Sequence, residues 1–404
     1  MMKYKKCFSW LSSAMLIMLA LFVSACSNTG TTSTSQGTTT TQTSAATGHN
    51  QQALSASTTP KMGSQATILP MLPLTQIRMT DATHGWALDK NNVLKTSDGG
   101  KTWVALTPNG ATISATSHAD FLNASDAWFT APNTQSKTTI AVFRTTNGGA
   151  SWNESTIYES APDEASLTFF SSKTGWLEVS PSGPGAGSEG IDIFRTDDGG
   201  ATWNKISTSG QGQNALPTGG IKSGLSFINA ATGWATGEDA SGKPWLYMTH
   251  DGGKTWYQKS ISGLSSSNSA GYQTMPPVLL GRYGFLPMTV STSTTPRTVL
   301  ARTTDGGADW TVSGQQMAPF QSSNVYVVNA QTAWATDQNT GDVYQTNNGG
   351  QSWQKVASST GIYGPLSFIN TSTGFGLGRP DQTVLKRTND GGKTWQTIAY
   401  QIHG

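Results

Sequence analysis

The phrase TSDGGKTW at 96–103 returns six times, as TTNGGASW (145–152), TDDGGATW (196–203), THDGGKTW (249–256), TTDGGADW (303–310), TNNGGQSW (346–353) and TNDGGKTW (388–395). A phrase repeated about every 49 residues along 404 overrides the two or three domains that length alone suggests. Fixed internal repeats at this period build rings or stacks of similar units. Each copy carries Asp-Gly or Asn-Gly, the strongest signal for a two-residue hairpin, because primed turns need positive φ at both central positions. The leading Thr and the Asp or Asn side chain can also hydrogen-bond the local backbone. The phrase therefore predicts a hairpin in every unit. β-type stretches such as VLK (93–95) and IFR (193–195) precede it, and a strand opening on Trp follows it.

A second marker precedes each phrase: GWA (85–87), AWF (127–129), GWL (175–177), GWA (233–235), GFL (284–286), AWA (333–335) and GFG (374–376). Seven residues before its aromatic stands an apolar residue: Met79, Phe121, Phe169, Phe227, Val278, Val327 or Phe368. Four strand-like pieces per unit at this period predict an all-β fold, a single seven-bladed β-propeller of four-stranded blades over residues 66–404. The seven phrase tryptophans, Trp103, Trp152, Trp203, Trp256, Trp310, Trp353 and Trp395, are expected to anchor the packing between units, since indoles bury large areas. Their partners Asp98, Asn147, Asp198, Asp251, Asp305, Asn348 and Asp390 are expected to brace the turns. A calcium loop is not indicated, because the alternating carboxylates and terminal Glu of an EF-hand are missing.

The phrase resembles the Asp-box, or bacterial neuraminidase repeat. The fuller pattern around GWA and RTTDGGKTW-like segments is similar to the photosystem II stability and assembly factor propellers. The resemblance covers residues 75–400 and implies a propeller. It leaves function open, since the repeat also occurs in sialidases, xyloglucanases and sorting receptors.

Spacing separates the two ends of such a ring. The interval from the early apolar residue to the Gly-Trp aromatic is seven in every unit, and so is that from the box Thr to the box Trp. Both contain turns at one end, which is therefore uniform. The other connections vary, and the longest intervals, 20, 24 and 22 residues, fall in units three and four and the links that follow them. Ligand-binding residues concentrate on variable loops held by a rigid scaffold. The expected ligand face is thus that end over units three to five, with Glu189, Asp192, Glu238, Asp239, Trp245, Tyr272 and Arg297 as candidates. Trp245 is singled out because the other tryptophans have repeat or signal positions, although an extra indole more commonly fills a core. The recurrent Lys95, Arg144, Arg195, Arg302 and Arg387 form either a basic stripe or a row of solvated charges.

Residues 1–25 read as an export signal: Lys3, Lys5 and Lys6, then an apolar run, then Ser24-Ala25. Val23-Ser24-Ala25-Cys26 resembles the bacterial lipobox, which implies acylation of Cys26 and anchoring to the outer face of the cell membrane. Cys7 leaves with the signal, so no disulfide or Cys-based metal site is expected. Removing the three signal lysines takes the net charge from +2 to −1, which points away from a nucleic-acid partner. Residues 26–65 are expected to form a disordered tether, since 27–60 hold eighteen Ser or Thr among thirty-four and one large aliphatic residue, Leu54. ATILPM (66–71) is expected to clasp the last blade as an outer strand.

Catalytic signatures are sparse. A sialidase needs an arginine triad to grip a carboxylate. Four of the eight arginines occupy one repeat position, leaving Arg78, Arg282, Arg297 and Arg379. GAGSEG (185–190) fits Gly-x-Gly-x-x-Gly but no helix is indicated after it. The sequence therefore favours a non-catalytic, monomeric propeller that binds a protein, with no cofactor and no metal. A glycan ligand, or a glycoside hydrolase, is the alternative.

Overall fold

The computed structural model describes residues 67–404 except 133–135, 137, 160–163, 182, 240, 265–270, 292–296, 313–319, 321, 323–324 and 380–381. Cys26 and the segments expected to form an export signal and a tether lie outside the described residues. The chain forms a seven-bladed β-propeller, with blades at 76–105, 119–158, 164–208, 221–258, 271–311, 325–357 and 362–398. In blade one, Gln76–Met79, Gly85–Leu88, Val93–Thr96 and Thr102–Ala105 run antiparallel, the first strand innermost. Blade five departs from this plan. Its first strand is split into Gly271–Thr274 and Val278–Leu280 at Pro276-Pro277, which cannot donate ladder hydrogen bonds. A bridge between Glu238 and Gln273 joins it to blade four, and the Thr274 hydroxyl donates to the Gly237 and Trp245 carbonyls.

The repeated phrase folds as expected in composition but not in turn type. Five residues, 97–101, separate the strands ending at Thr96 and beginning at Thr102, so the connection is not a two-residue hairpin. Positive φ falls on both glycines, 75° at Gly99 and 85° at Gly100, and not on Asp98. The acid is instead a brace. In blade three Asp198 Oδ1 accepts the Thr196 hydroxyl (2.8 Å) and the Thr202 N–H (2.9 Å), while Oδ2 accepts the Thr202 hydroxyl (2.6 Å). Thr196 Oγ1 in turn accepts the Gly200 N–H at 2.7 Å. The same hydroxyl-to-carboxylate or hydroxyl-to-amide contact recurs in all seven boxes. In blades two and six, Asn147 and Asn348 supply the oxygen, and their amides donate to Ser151 and Ser352.

Neighbouring blades are stapled by aromatics. Trp128 of blade two stacks on Phe169 of blade three at 3.8 Å, Trp176 on Phe227 at 3.5 Å, and Trp334 on Phe368 at 3.9 Å. The box tryptophan of the second blade meets the same ring edge-on, as Trp203 does Phe169 and Trp256 does Phe227. The edge contacts suit the ring quadrupoles. Glycine before the indole leaves room for the Phe: a Cβ at Gly175 would stand 2.4 Å from Phe169 Cδ1. Indole N–H groups then donate across the interface, Trp128 to Gly199 O and Trp176 to Gly252 O.

Three of the five recurrent cations are neither a stripe nor idle charges. Lys95 donates to Ala124 O and Gly148 O, Arg144 to Asp198 O, and Arg195 to Ala230 O, each in the next blade. Lys95 and Arg195 also lie over the indoles of Trp86 and Trp176. They are inter-blade clamps.

Ring closure also differs from expectation. Ile68–Leu69 does not join the last blade. It pairs antiparallel with Gln401–His403, and that C-terminal strand runs parallel to Thr102–Ala105 on the outer edge of blade one. After blade seven the chain thus crosses to blade one, as Ile261–Ser262 crosses from blade four to the edge of blade five. Tyr400 and Ile402 pack with Leu74, Trp103, Phe375 and Leu385 across the seam, and the Met79 N–H donates to Ser367 Oγ (2.9 Å).

Candidate functional site

One end of the ring carries the five-residue box turns and the short turns between first and second strands, such as Phe170–Thr174, where Asx and Ser side chains cap the backbone. Box side chains are committed there to their own turns. The opposite end carries the connections between second and third strands, longest in blade three, and the links between blades, which are long after blade one as well as after blade three.

The predicted ligand residues divide by burial. Trp245 is 2% exposed, donates to Gly219 O, and packs beneath Lys222, so it fills the core and offers no stacking face. Tyr272 is buried in the core between blades four and five. Asp192 is buried and joins Lys205 (3.0 Å) and the Thr208 hydroxyl. Lys205 also meets Glu159, which ties blade three to blade two. Glu189 is buried too, its carboxylate accepting the Lys222 N–H at 2.7 Å. Glu238 and Asp239 are half-buried and Arg297 is exposed. The structure brings Glu238 and Tyr272 to the junction of blades four and five and places Glu189 and the Trp245 indole between blades three and four.

That cleft contains residues the sequence reading passed over. Glu164, on the first strand of blade three, lies opposite Ser180, and Glu178 lies opposite Ser166, on the second strand. Trp176 points to blade four, where it stacks on Phe227, so by strand alternation Glu178 and Ser180 point there too. Burial pushes the Glu178 carboxyl up to about 8, and the nearby Glu189 and Glu164 add to the rise against the pull of Lys222. Burial, with Glu189, also raises Glu164. Facing them, Lys222 is pushed down to about 8 by burial although Glu189 and Glu178 favour its charge. Its ammonium donates to the carbonyls of Glu189 (2.5 Å), Pro217 (2.9 Å) and Gly220 (3.0 Å), with Thr218 and Gly219 carbonyls at 3.1 Å. Lys222 is thus the organising cation of the link at 217–220. Among the described residues, no group of three or more His, Cys, Asp or Glu is arranged to hold a metal ion.

Residues 211–364 match the family model described as photosynthesis system II assembly factor YCF48. Among solved structures, YCF48 bound to a D1 peptide superposes with a TM-score of 0.53 at 18% identity, over 80% of this chain and 94% of that one. The chain is an Asp-box propeller similar to the YCF48 assembly factors. A GH74 xyloglucanase from Xanthomonas campestris matches with a TM-score of 0.57 at 13% identity, over 84% of this chain but 55% of the enzyme. At these identities the likeness to either structure is one of fold. No curated protein matches the chain by sequence. In the YCF48-like frame the acid cluster between blades three and four stands out, since it takes no part in the repeat. Glu178 and Lys222 were missed because each sits inside an ordinary strand, more than forty positions apart. The scarcity of glutamate, six in the chain with three of them here, was the available signal.

Proposed function

We propose that this protein is a non-catalytic docking propeller, exported and anchored through a lipid on Cys26, that holds a protein segment at its variable end over blades three to five. The observation that carries this reading is the division of labour between the two ends. Box acids and cations at the uniform end are spent on turns and blade seams, while irregular loops with half-buried or exposed Glu238, Asp239 and Arg297 gather on one arc of the other end. The YCF48-like match and the peptide held by that relative support a protein as partner. The lipobox-like VSAC supports the anchor.

Capture from native membranes tests it. Wild-type protein is compared with a variant carrying Glu238→Ala, Asp239→Ala and Arg297→Ala. One dominant partner held by the wild type and lost from the variant is the expected result. Recovery of no partner, together with turnover of a xyloglucan or sialoside by the purified protein, replaces docking with glycan chemistry. Cys26→Ala is expected to move the protein from the membrane fraction to the soluble fraction.

A further inference from the structure

We propose that the cleft between blades three and four is a socket for a basic side chain, lysine or arginine, of the protein bound at the variable end. The inference rests on the docking reading above and specifies one contact within it. The cleft holds three carboxylates, Glu164, Glu178 and Glu189, against one ammonium, Lys222. That ammonium attracts them from a distance but hydrogen-bonds none of the three. Its donors go to the backbone carbonyls of 189 and 217–220, and the Glu189 carboxylate is reached only by the backbone N–H of Lys222.

Glu178 Oε2 is enclosed and meets no donor. Two residues along the same strand face, Ser180 is 3% exposed and its hydroxyl also lacks a partner. Beside Trp176 the hydroxyl of Thr168, 2% exposed, is in the same condition. Buried polar atoms in native proteins are nearly always paired, so a run of orphan acceptors on one wall marks a place where donors arrive from outside. The wall opens at Glu164, which is exposed at the start of its strand on the variable end. A carboxylate and the Ser180 hydroxyl at the mouth, a second carboxylate deeper in and the Thr168 hydroxyl beyond it suit a long stem with a cationic head carrying several donors. A water molecule can pair with a hydroxyl but carries no charge to offset an ionised Glu178.

The groups facing Glu178 are Glu164 on the first strand of blade three, Glu189 in the loop of the same blade, and Lys222 on the first strand of blade four. A cation entering the socket favours the ionised form of Glu178, so binding releases a proton whenever that carboxyl starts protonated. Affinity for a basic side chain therefore rises with pH up to about 8, by roughly tenfold per unit at most. Loss of the Lys222 charge above about 8 acts in the same direction.

The probes are acetylated, amidated Gly/Ser octapeptides with a single central Lys, Arg or Gln, titrated against the intact mature protein at pH 6 and pH 9. The Lys or Arg peptide is expected to bind roughly tenfold more tightly than the Gln peptide at pH 9, with a smaller preference at pH 6. In Glu178→Gln, an isosteric change that removes the ionisable group, both the preference and its pH dependence should shrink, leaving only what Lys222 and the other carboxylates contribute. Equal binding of the three peptides to wild type, or an unchanged preference in Glu178→Gln, overturns the socket. The same variant in the membrane capture separates the two ideas. A partner retained equally by wild type and Glu178→Gln refutes the socket and leaves docking intact, whereas no partner for either refutes docking itself.

Discussion

Closure of the ring by the C-terminal strand makes a strong demand on Ile402. The side chain is fully buried in the seam formed by Leu74, Trp103, Phe375, Leu385 and Tyr400. Ile402→Ala removes three carbons there. At about 0.8 kcal/mol per buried methylene the transfer loss is roughly 2.4 kcal/mol, and the cavity left behind brings it to about 3–4 kcal/mol. Ile68, on the neighbouring N-terminal strand, is 63% exposed, so Ile68→Ala should cost within about 0.5 kcal/mol. Urea unfolding of the protein measures both. Hydrogen exchange adds a local reading: protection of the Thr102–Ala105 amides should drop in Ile402→Ala and stay near wild type in Ile68→Ala. Equal destabilisation by the two substitutions, or a neutral Ile402→Ala, would refute closure through the C-terminal strand.

Asp198→Ala is expected to lose roughly 1–2 kcal/mol, because the Thr196 and Thr202 donors lose their acceptor at a partly exposed site. Asp198→Asn should stay within about 0.5 kcal/mol, since blades two and six already use asparagine there, and thermal melts separate the two. In Asp390 burial pulls upward, but hydrogen bonds from Thr394 and Thr388 outweigh it and lower the carboxyl to about 2; Asp98, Asp198, Asp251 and Asp305 are lowered as well. Their depressed folded-state values add stability above the unfolded value near 4 that is lost as pH falls through the folded values, so acid titration followed by tryptophan fluorescence should show unfolding in that window, less steep in Asp390→Asn. Gly199→Ala puts a Cβ 2.4 Å from Ser172 O at φ +77° and should destabilise by more than about 2 kcal/mol in urea. Glu178→Gln should raise stability relative to wild type, the gain growing from about pH 4.5 to 8 because the raised carboxyl penalises the folded state progressively over that range.

The seven blades, their four strands and the contrast between the two ends were legible because a repeat writes the same physical requirement seven times. The Gly-Trp marker and the early phenylalanine even specify the stack of Trp176 on Phe227. Legibility ends where a residue acts once or acts across blades. The turn type was misread because Asp-Gly at 98–99 looks identical in a two-residue hairpin and in a loop whose positive φ falls on Gly99 and Gly100. Gln401–His403 has no marker, being three residues joined to a strand almost three hundred positions earlier. Trp245 looked functional because it lacked a repeat position, yet the irregular link at 217–220 needed an indole under Lys222. Asp192, likewise, is used by Lys205 to hold blades two and three together.

Both ends of the described chain emerge on the rim of blade one, Ile68 beside His403. Blades four and five lie half a turn away around the ring. A line fastened at residue 67 therefore pulls from the side of the disc rather than through its hub, and leaves the opposite arc, with its irregular loops, free to swing toward whatever approaches.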